Sequence, residues 1–408
     1  MIKRSLASRL FLIVLFLRPG TIMAMDEFAL CKLLGYPRGT PSTWHQDCNK
    51  IGSYSNPQEI FQHNTADPPG RAFALLSNPQ PLMKVRYRPL DGGREQSLEE
   101  YLSTYRVTSF VVLKDDIVVL ERYQYDRKPS DLMLSQSMSK TVLALLVGIA
   151  ISEGKIKGLS ERVEEILPDF GESAFAKATV EDLLRMASGV RLANSYRGDT
   201  ADNWLTNPMN PEVTNVRAFL RSKKDLDSEP GSRFAYNGAQ TALLGLILRE
   251  RVGGALTSYL EEKLWKPMGA EGPAIWIKDK QGLEGVQGQF AALPRDYARL
   301  GYLIVNRGNI NGRQVVPADW IAEMTRIRRD RPQPKGPPFY GLHVWLAQAG
   351  GGRGLLWGTN GQFVFFDPVA RIVIVQTAVG KTAEYEGINH IFPIRDAIVR
   401  ELEPRLQQ

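Results

Sequence analysis

Two pairs of β-branched and aromatic runs, one toward each end of the chain, do most to restrict its fold. VTSFVVLKDDIVVLERY (Val107 to Tyr123) places apolar runs on either side of Lys114-Asp115-Asp116, and FVFFDPVARIVIVQTAV (Phe363 to Val379) joins two at Asp367-Pro368. Each reads as an antiparallel hairpin. Between them the pattern changes. TVLALLVGIAISEG (Thr141 to Gly154) is apolar nearly all round, which predicts a buried helix closed by a glycine. From Val163 to about Leu283 the pattern is mostly helical, and a helical C-terminus follows from about Ile388. The simplest arrangement is α+β: an antiparallel sheet assembled from both ends of the chain, covered by helices, with an all-helical part inserted. Residues 101–162 and 284–408 then form the sheet-bearing part and 163–283 the helical part, with a site expected in the cleft between them.

Residues 1–24 stand apart. Lys3, Arg4 and Arg9 precede LFLIVLFL (Leu10 to Leu17), and small-residue chemistry follows at Ala24. A basic start, a short apolar core and a cleavage region are the layout of a secretory signal peptide, so a periplasmic or secreted protein is expected. The run is shorter than the ~20 residues that span a bilayer. Because the cleavage region is not a clean A-x-A, an uncleaved anchor is the alternative. Four basic and no acidic residues lie in this segment, so the formal charge of +7 falls to +3 beyond it. No basic stripe with interleaved aromatics follows, and nucleic acid is not an expected partner. No other segment is apolar and long enough to cross a membrane. The expected state is monomer or homodimer.

A hydrophobic content of 43% with 23% charged residues excludes a disordered chain. Two cysteines exclude a disulfide-rich scaffold and a four-thiolate zinc site. Cys31 and Cys48 fall just beyond the signal segment. In an oxidising compartment they are expected to form a local disulfide, worth ~3 kcal/mol in the chain-entropy model; two free buried thiols are the alternative. Residues 25–100 are rich in Pro, Gly, Asn and Gln, show no sustained period, and read as an irregular extension packed on the main body.

Four histidines leave little room for histidine chemistry. The chain has no G-x-S-x-G, H-E-x-x-H, C-x-x-C or Walker A pattern. A serine activated by a lysine one helical turn later remains. S-x-x-K occurs at Ser137-Met138-Ser139-Lys140 and at Ser152-Glu153-Gly154-Lys155. Residues three apart share a helix face, which brings Nζ within reach of Oγ. Ser137 precedes the apolar helix, where free backbone N–H groups and the helix dipole can hold an oxyanion. Ser152 sits at the end of the same helix beside Gly154. The competing reading of Ser137 is an N-cap, and of Lys140 an ordinary solvated lysine.

Further motifs follow in a fixed order. SQSMSKTVLALLVGIAISEGKI, LLRMASGV (Leu183 to Val190) and PGSRFAYNGAQTALLGLIL (Pro230 to Leu248) resemble segments of the serine β-lactamase and penicillin-recognising superfamily. KLWKPMGAEGPAIW (Lys263 to Trp276), RDYARLGYLIVNRG (Arg295 to Gly308) and GTNGQFVFFDP (Gly358 to Pro368) are most similar to the branch holding 6-aminohexanoate-dimer hydrolases and related esterases. The resemblance spans roughly residues 101–380. It implies a β-lactamase/transpeptidase-like fold and, needing neither metal nor cofactor, acyl transfer to Ser137 with Lys140 and Tyr236 moving the proton. It also implies an oxyanion hole made by the backbone N–H groups of Ser137 and Thr359.

Two departures narrow the substrate. The second motif reads Tyr236-Asn237-Gly238 where the lactamases have Tyr-x-Asn, and the third reads Leu356-Trp357-Gly358 where they begin with Lys or His. That cation pairs with a substrate carboxylate, and losing a charge-assisted contact costs ~1.5–3 kcal/mol. Small amides or esters without an obligatory carboxylate are therefore the expected substrates. The rivals are a penicillin-binding or weakly lactam-hydrolysing protein, and a non-catalytic cell-envelope module that keeps the fold. Gly358, Asp199 and Asp202 are candidate substrate contacts, the two aspartates by binding a cationic amine; exposed loop carboxylates are the alternative for both. Trp204, Trp276 and Trp345 are candidates for the pocket wall or for the core. IRRDRPQPKGPPFYG (Ile327 to Gly341) reads as a flexible basic loop near the cleft.

Overall fold

The computed structural model describes residues 26–193, 202–210, 212, 215–348, 350–384 and 387–402, and of Asn203 and Trp204 only the backbone. Its large sheet has eight strands: Leu76–Ser77 (β1), Val107–Lys114 (β2), Ile117–Tyr123 (β3), Phe339–Tyr340 (β4), Trp345–Leu346 (β5), Gly354–Gly358 (β6), Gln362–Asp367 (β7) and Ile372–Ala378 (β8). They lie in the order β4-β5-β6-β7-β8-β2-β3-β1. The two hairpins meet at the centre, where β8 pairs antiparallel with β2 from Ile372↔Lys114 to Thr377↔Ser109. Among the described residues only the β1–β3 pairing is parallel. Asp115 turns the first hairpin at φ 56°, a left-handed position that a short polar side chain tolerates.

The central strands read as continuous apolar runs because both faces of this sheet are covered. Five longer helices matter here: α1 (Asp47–Ser55), α2 (Ser139–Ser152), α3 (Gly238–Val252), α4 (Pro294–Val305) and α5 (Ile388–Leu402). Val111, Leu113, Val364, Phe366, Val373 and Val375 on one face join a core with residues of α2, α3 and α4. Their alternates Phe110, Val112, Phe363, Phe365 and Ile374 meet Leu98, Tyr101 and the α5 residues Ile391, Ile394 and Ile398 on the other. Every α2 residue from Ser139 to Ala150 is buried. Its polar groups are satisfied there: Ser139 Oγ donates to Val286 O and accepts from Trp276 Nε1, and Thr141 Oγ1 donates to His343 O.

Two regions differ from the sequence expectation. The helical stretch does not run to Leu283, because Ala274–Ile277 is a strand. It belongs to a second sheet, ordered His63–Ala66, Ala274–Ile277, Phe290–Ala292, Met133–Leu134. All four residues of Ala274–Ile277 are buried, so a run this short shows no period of its own. Residues 25–100 are also more regular than expected. They contain α1 and the edge strand His63–Ala66, and their Trp44, Ile51, Tyr54 and Phe61 build a core with Ile275, Ile277 and Leu293. The buried residues of α1 include Lys50, Gly52, Ser53 and Ser55, which is why its sequence carries no apolar stripe. A disulfide between Cys31 and Cys48 ties this helix to the preceding segment.

Candidate active site

Strand Met133–Leu134 runs through a short 3₁₀ turn, Gln136–Met138, directly into α2. The turn is fixed from behind: Ser135 N donates to Phe290 O at 2.8 Å, and Ser135 Oγ donates to Gln136 O at 2.8 Å. Ser137 is thereby half-buried at the start of a helix whose other polar groups are already engaged. One turn on, Lys140 is 3% exposed and its Nζ lies 3.0 Å from Ser137 Oγ. Nζ also donates to the carbonyl of Gln287, a buried residue anchored by its own Nε2 donating to Thr206 O at 2.7 Å. Burial penalises the ammonium and lowers the Lys140 pKa to about 7. Behind it, burial and the Lys140 charge lower the pKa of His343 to about 3, so that ring is neutral.

Tyr236 reaches the same point from the helical part. Its turn is pinned by Ala235 N donating to Met186 O and Gln240 Nε2 donating to Ala235 O, both at 2.7 Å. Asn237 caps α3: its Oδ1 accepts from Ala239 N at 2.9 Å and its Nδ2 donates to Ala193 O at 3.3 Å. The Tyr236 ring centroid is 5.3 Å from Lys140 Nζ, and the ring packs on Tyr340 and Trp345 with centroids 5.9 and 5.5 Å away.

The end of β6 supplies the third side. A Cβ on Gly358 would lie 2.4 Å from Ser135 O and 2.8 Å from Gln136 Cβ, so only glycine lets this strand approach the serine turn so closely. Thr359 then faces Ser137 across a cleft of about 580 Å³, lined also by Tyr236, Trp345, Trp357, Gly358 and the segment Lys381–Glu384.

Ser137, Lys140, Tyr236, Gly358 and Thr359 are thus brought together from three separate stretches of chain. The other candidates lie elsewhere. Asp202 is not a cleft carboxylate: it is 2% exposed, paired with Lys223 at 2.6 Å and accepting from Ala193 N at 2.6 Å. Its charge is consumed inside the helical part. Asp199 lies outside the described residues, as does the Trp204 side chain. Trp276 is core, whereas Trp345 lines the cleft. Leu356, which stands at the place of the missing cation, is buried in the core, and its neighbour Trp357 lines the cleft. Alternation along a strand decides this, since counting along the motif does not say which face a residue presents. The arginines of the Ile327–Gly341 loop are largely committed, Arg328 to Glu323 and Asp330, Arg331 to Glu181.

Sequence reasoning missed Gln287 and the Lys381–Glu384 segment. Gln287 contributes a backbone carbonyl, for which a sequence carries no signal. Lys381 and Glu384 follow the last strand of the sheet, and the bonds of Asn360 to Gly380, Thr382 and Ala383 hold their segment at the cleft.

Comparison with known proteins fits this geometry. Residues 96–386 match the Beta-lactamase family model. The chain is 26% identical over 300 residues to 6-aminohexanoate-dimer hydrolase of Paenarthrobacter ureafaciens, covering 69% of this chain and 75% of that protein. A solved structure described as a candidate 6-aminohexanoate-dimer hydrolase from Bacillus anthracis superposes with a TM-score of 0.81 at 24% identity, covering 90% of this chain and 97% of that one. EstCE1, a hydrolase with promiscuous acyltransferase activity, gives a TM-score of 0.57 at 18% identity over 74% of this chain and 96% of its own. These structural likenesses speak to the fold. With a family match over most of its length and a serine–lysine pair in the cleft, the chain belongs to the Beta-lactamase family of serine hydrolases.

Proposed function

We propose that this protein is an exported hydrolase that cleaves small amides or esters through an acyl-enzyme on Ser137. The observation that carries the reading is the 3.0 Å approach of Lys140 Nζ to Ser137 Oγ, with burial bringing the lysine pKa to about 7. A lysine at its ordinary value is almost wholly protonated at neutral pH and cannot accept a proton; at about 7, half of it can. Ser137 Oγ attacks the substrate carbonyl as its proton passes to Nζ. The N–H groups of Ser137 and Thr359 hold the developing oxyanion, each worth ~2.7–4 kcal/mol in sites of this type. The proton then reaches the leaving group by way of Tyr236, and water attacks the acyl-enzyme to restore Ser137.

The cleft wall of Tyr236, Trp345 and Trp357 suits flat or extended apolar acyl groups, with Trp345 and Trp357 in edge contact at 5.4 Å. Relatives named as a 6-aminohexanoate-dimer hydrolase and as a hydrolase with acyltransferase activity support the same class. Reaction with a fluorophosphonate, set beside a Ser137→Ala variant, tests the nucleophile: equal labelling of the two proteins sinks it. One observation favours a second reading. Lys381, 62% exposed in its side chain at the cleft and 3.8 Å from the Asp26 carboxylate, is a cation for which a carboxylate-bearing lactam would compete with Asp26. A labelled penicillin discriminates: a stable adduct on Ser137 supports the lactam reading, and fast p-nitrophenyl ester turnover supports ours.

A further inference from the structure

Tyr54 lies on α1, far in sequence from every residue assigned a role above. Its side chain is buried, and its hydroxyl makes two hydrogen bonds. It accepts from Gln136 Nε2 at 3.2 Å and donates to Asn360 Oδ1 at 3.2 Å. Gln136 immediately precedes Ser137, and Asn360 immediately follows Thr359. Both residues hold left-handed backbones, φ 47° and 60°, a region that side chains other than glycine seldom occupy. Such turns persist only where surrounding contacts over-determine them. The same contacts extend outward. Asn360 Nδ2 donates to Gly380 O and Thr382 O, both at 3.0 Å, and Lys50 on α1 donates to Gly380 O at 3.3 Å. Helix α1 is itself held down by the Cys31–Cys48 disulfide and by Arg106, which pairs with Asp26 and Asp47.

We infer that Tyr54 is a positioning residue for the oxyanion hole, its hydroxyl fixing the separation of the two segments that carry the Ser137 and Thr359 N–H groups. The inference rests on the reading of those two groups as the oxyanion donors. It makes residues 26–66 part of the catalytic apparatus. A hydroxyl in this place acts on the alignment of donors whose bonds strengthen as negative charge develops, so its loss falls on kcat more than on KM.

The test uses the full chain with p-nitrophenyl acetate. Tyr54→Phe keeps the buried ring and removes only the bridge. Its kcat is expected to fall roughly tenfold to a hundredfold, with KM within about twofold and the melting temperature within a few degrees. Gln136→Met, which cuts one arm, is expected to lower kcat in the same direction. The double variant is expected to be little worse than Tyr54→Phe alone, because both changes break one link. An unchanged kcat in Tyr54→Phe overturns the inference, as does a loss that tracks melting temperature or strict additivity in the double variant. Ser137→Ala separates the two layers. If it is inactive while Tyr54→Phe is normal, only the role of Tyr54 fails; if it is fully active, the nucleophile and the hole fail with it.

Discussion

Helix α2 carries the same four-residue pattern at both of its ends, and the two copies have become different chemical objects. At the N-terminal end, Ser137 faces the cleft and Lys140 is buried with Nζ 3.0 Å from Oγ. At the C-terminal end, Ser152 is exposed and its Oγ donates to Ile149 O at 2.7 Å, within its own helix. Helical geometry there ends at Ser152, and Gly154 at φ 70° turns the chain before Lys155. Three-residue spacing brings two side chains together only while the helix continues between them. The pairing in the first copy thus comes from its place on the helix. Its lowered lysine pKa comes from the layers packed over it.

The predictions test how far that difference extends. The largest effect is expected from Ser137→Ala, which should lower kcat/KM for a p-nitrophenyl ester by roughly 10⁴-fold or more. Ser152→Ala should leave it unchanged, and equal losses from the two would erase the contrast. Lys140→Met is expected to cost roughly 10²–10⁴-fold in kcat, the range of general acid–base catalysis, and Lys155→Met nothing measurable. The first of these should also change stability. The folded pKa of Lys140, about 7, lies below the unfolded 10.5, so the burial penalty is full below pH 7 and gone above 10.5. Any gain in melting temperature from Lys140→Met should therefore shrink as pH rises through that window.

A pH profile sharpens the comparison further. If neutral Lys140 is the base, kcat/KM should rise about tenfold per unit below pH 7 and flatten above it. A limb centred near pH 4–5 would assign the base to a carboxylate instead. The smallest expected effect is at the strand that faces Ser137. Gly358→Ala places a methyl 2.4 Å from Ser135 O and should cost ~1–3 kcal/mol by thermal or denaturant unfolding, with kcat falling as the strand backs away. Full retention of both would show that this close approach is dispensable.

How much could be read in advance follows from how local each feature is. Both hairpins were legible because β-branched runs interrupted by Asp115-Asp116 and Asp367-Pro368 favour local pairing, and α2 because a nearly unbroken apolar stretch has few other solutions. Ser137 and Lys140 were legible because one helical turn relates them. Asp202 misled, since a polar residue in a loop-like sequence gives no sign that it is buried or that Lys223, 21 positions on, neutralises it. Which of Leu356 and Trp357 lines the cleft was not legible, because neighbouring strand residues face opposite layers.

The sequence by itself determined the two central hairpins, α2 and the serine–lysine pair, which depend on contacts within a few residues. The tertiary structure alone decided what those residues can do. Burial under the sheet and helices sets the lysine pKa, and Gly358 brings a distant strand against the serine turn. The Tyr54 hydroxyl then links Gln136 to Asn360 across 224 positions of the chain. Each of these depends on dielectric or on distance between remote segments, and neither quantity exists until the chain has folded.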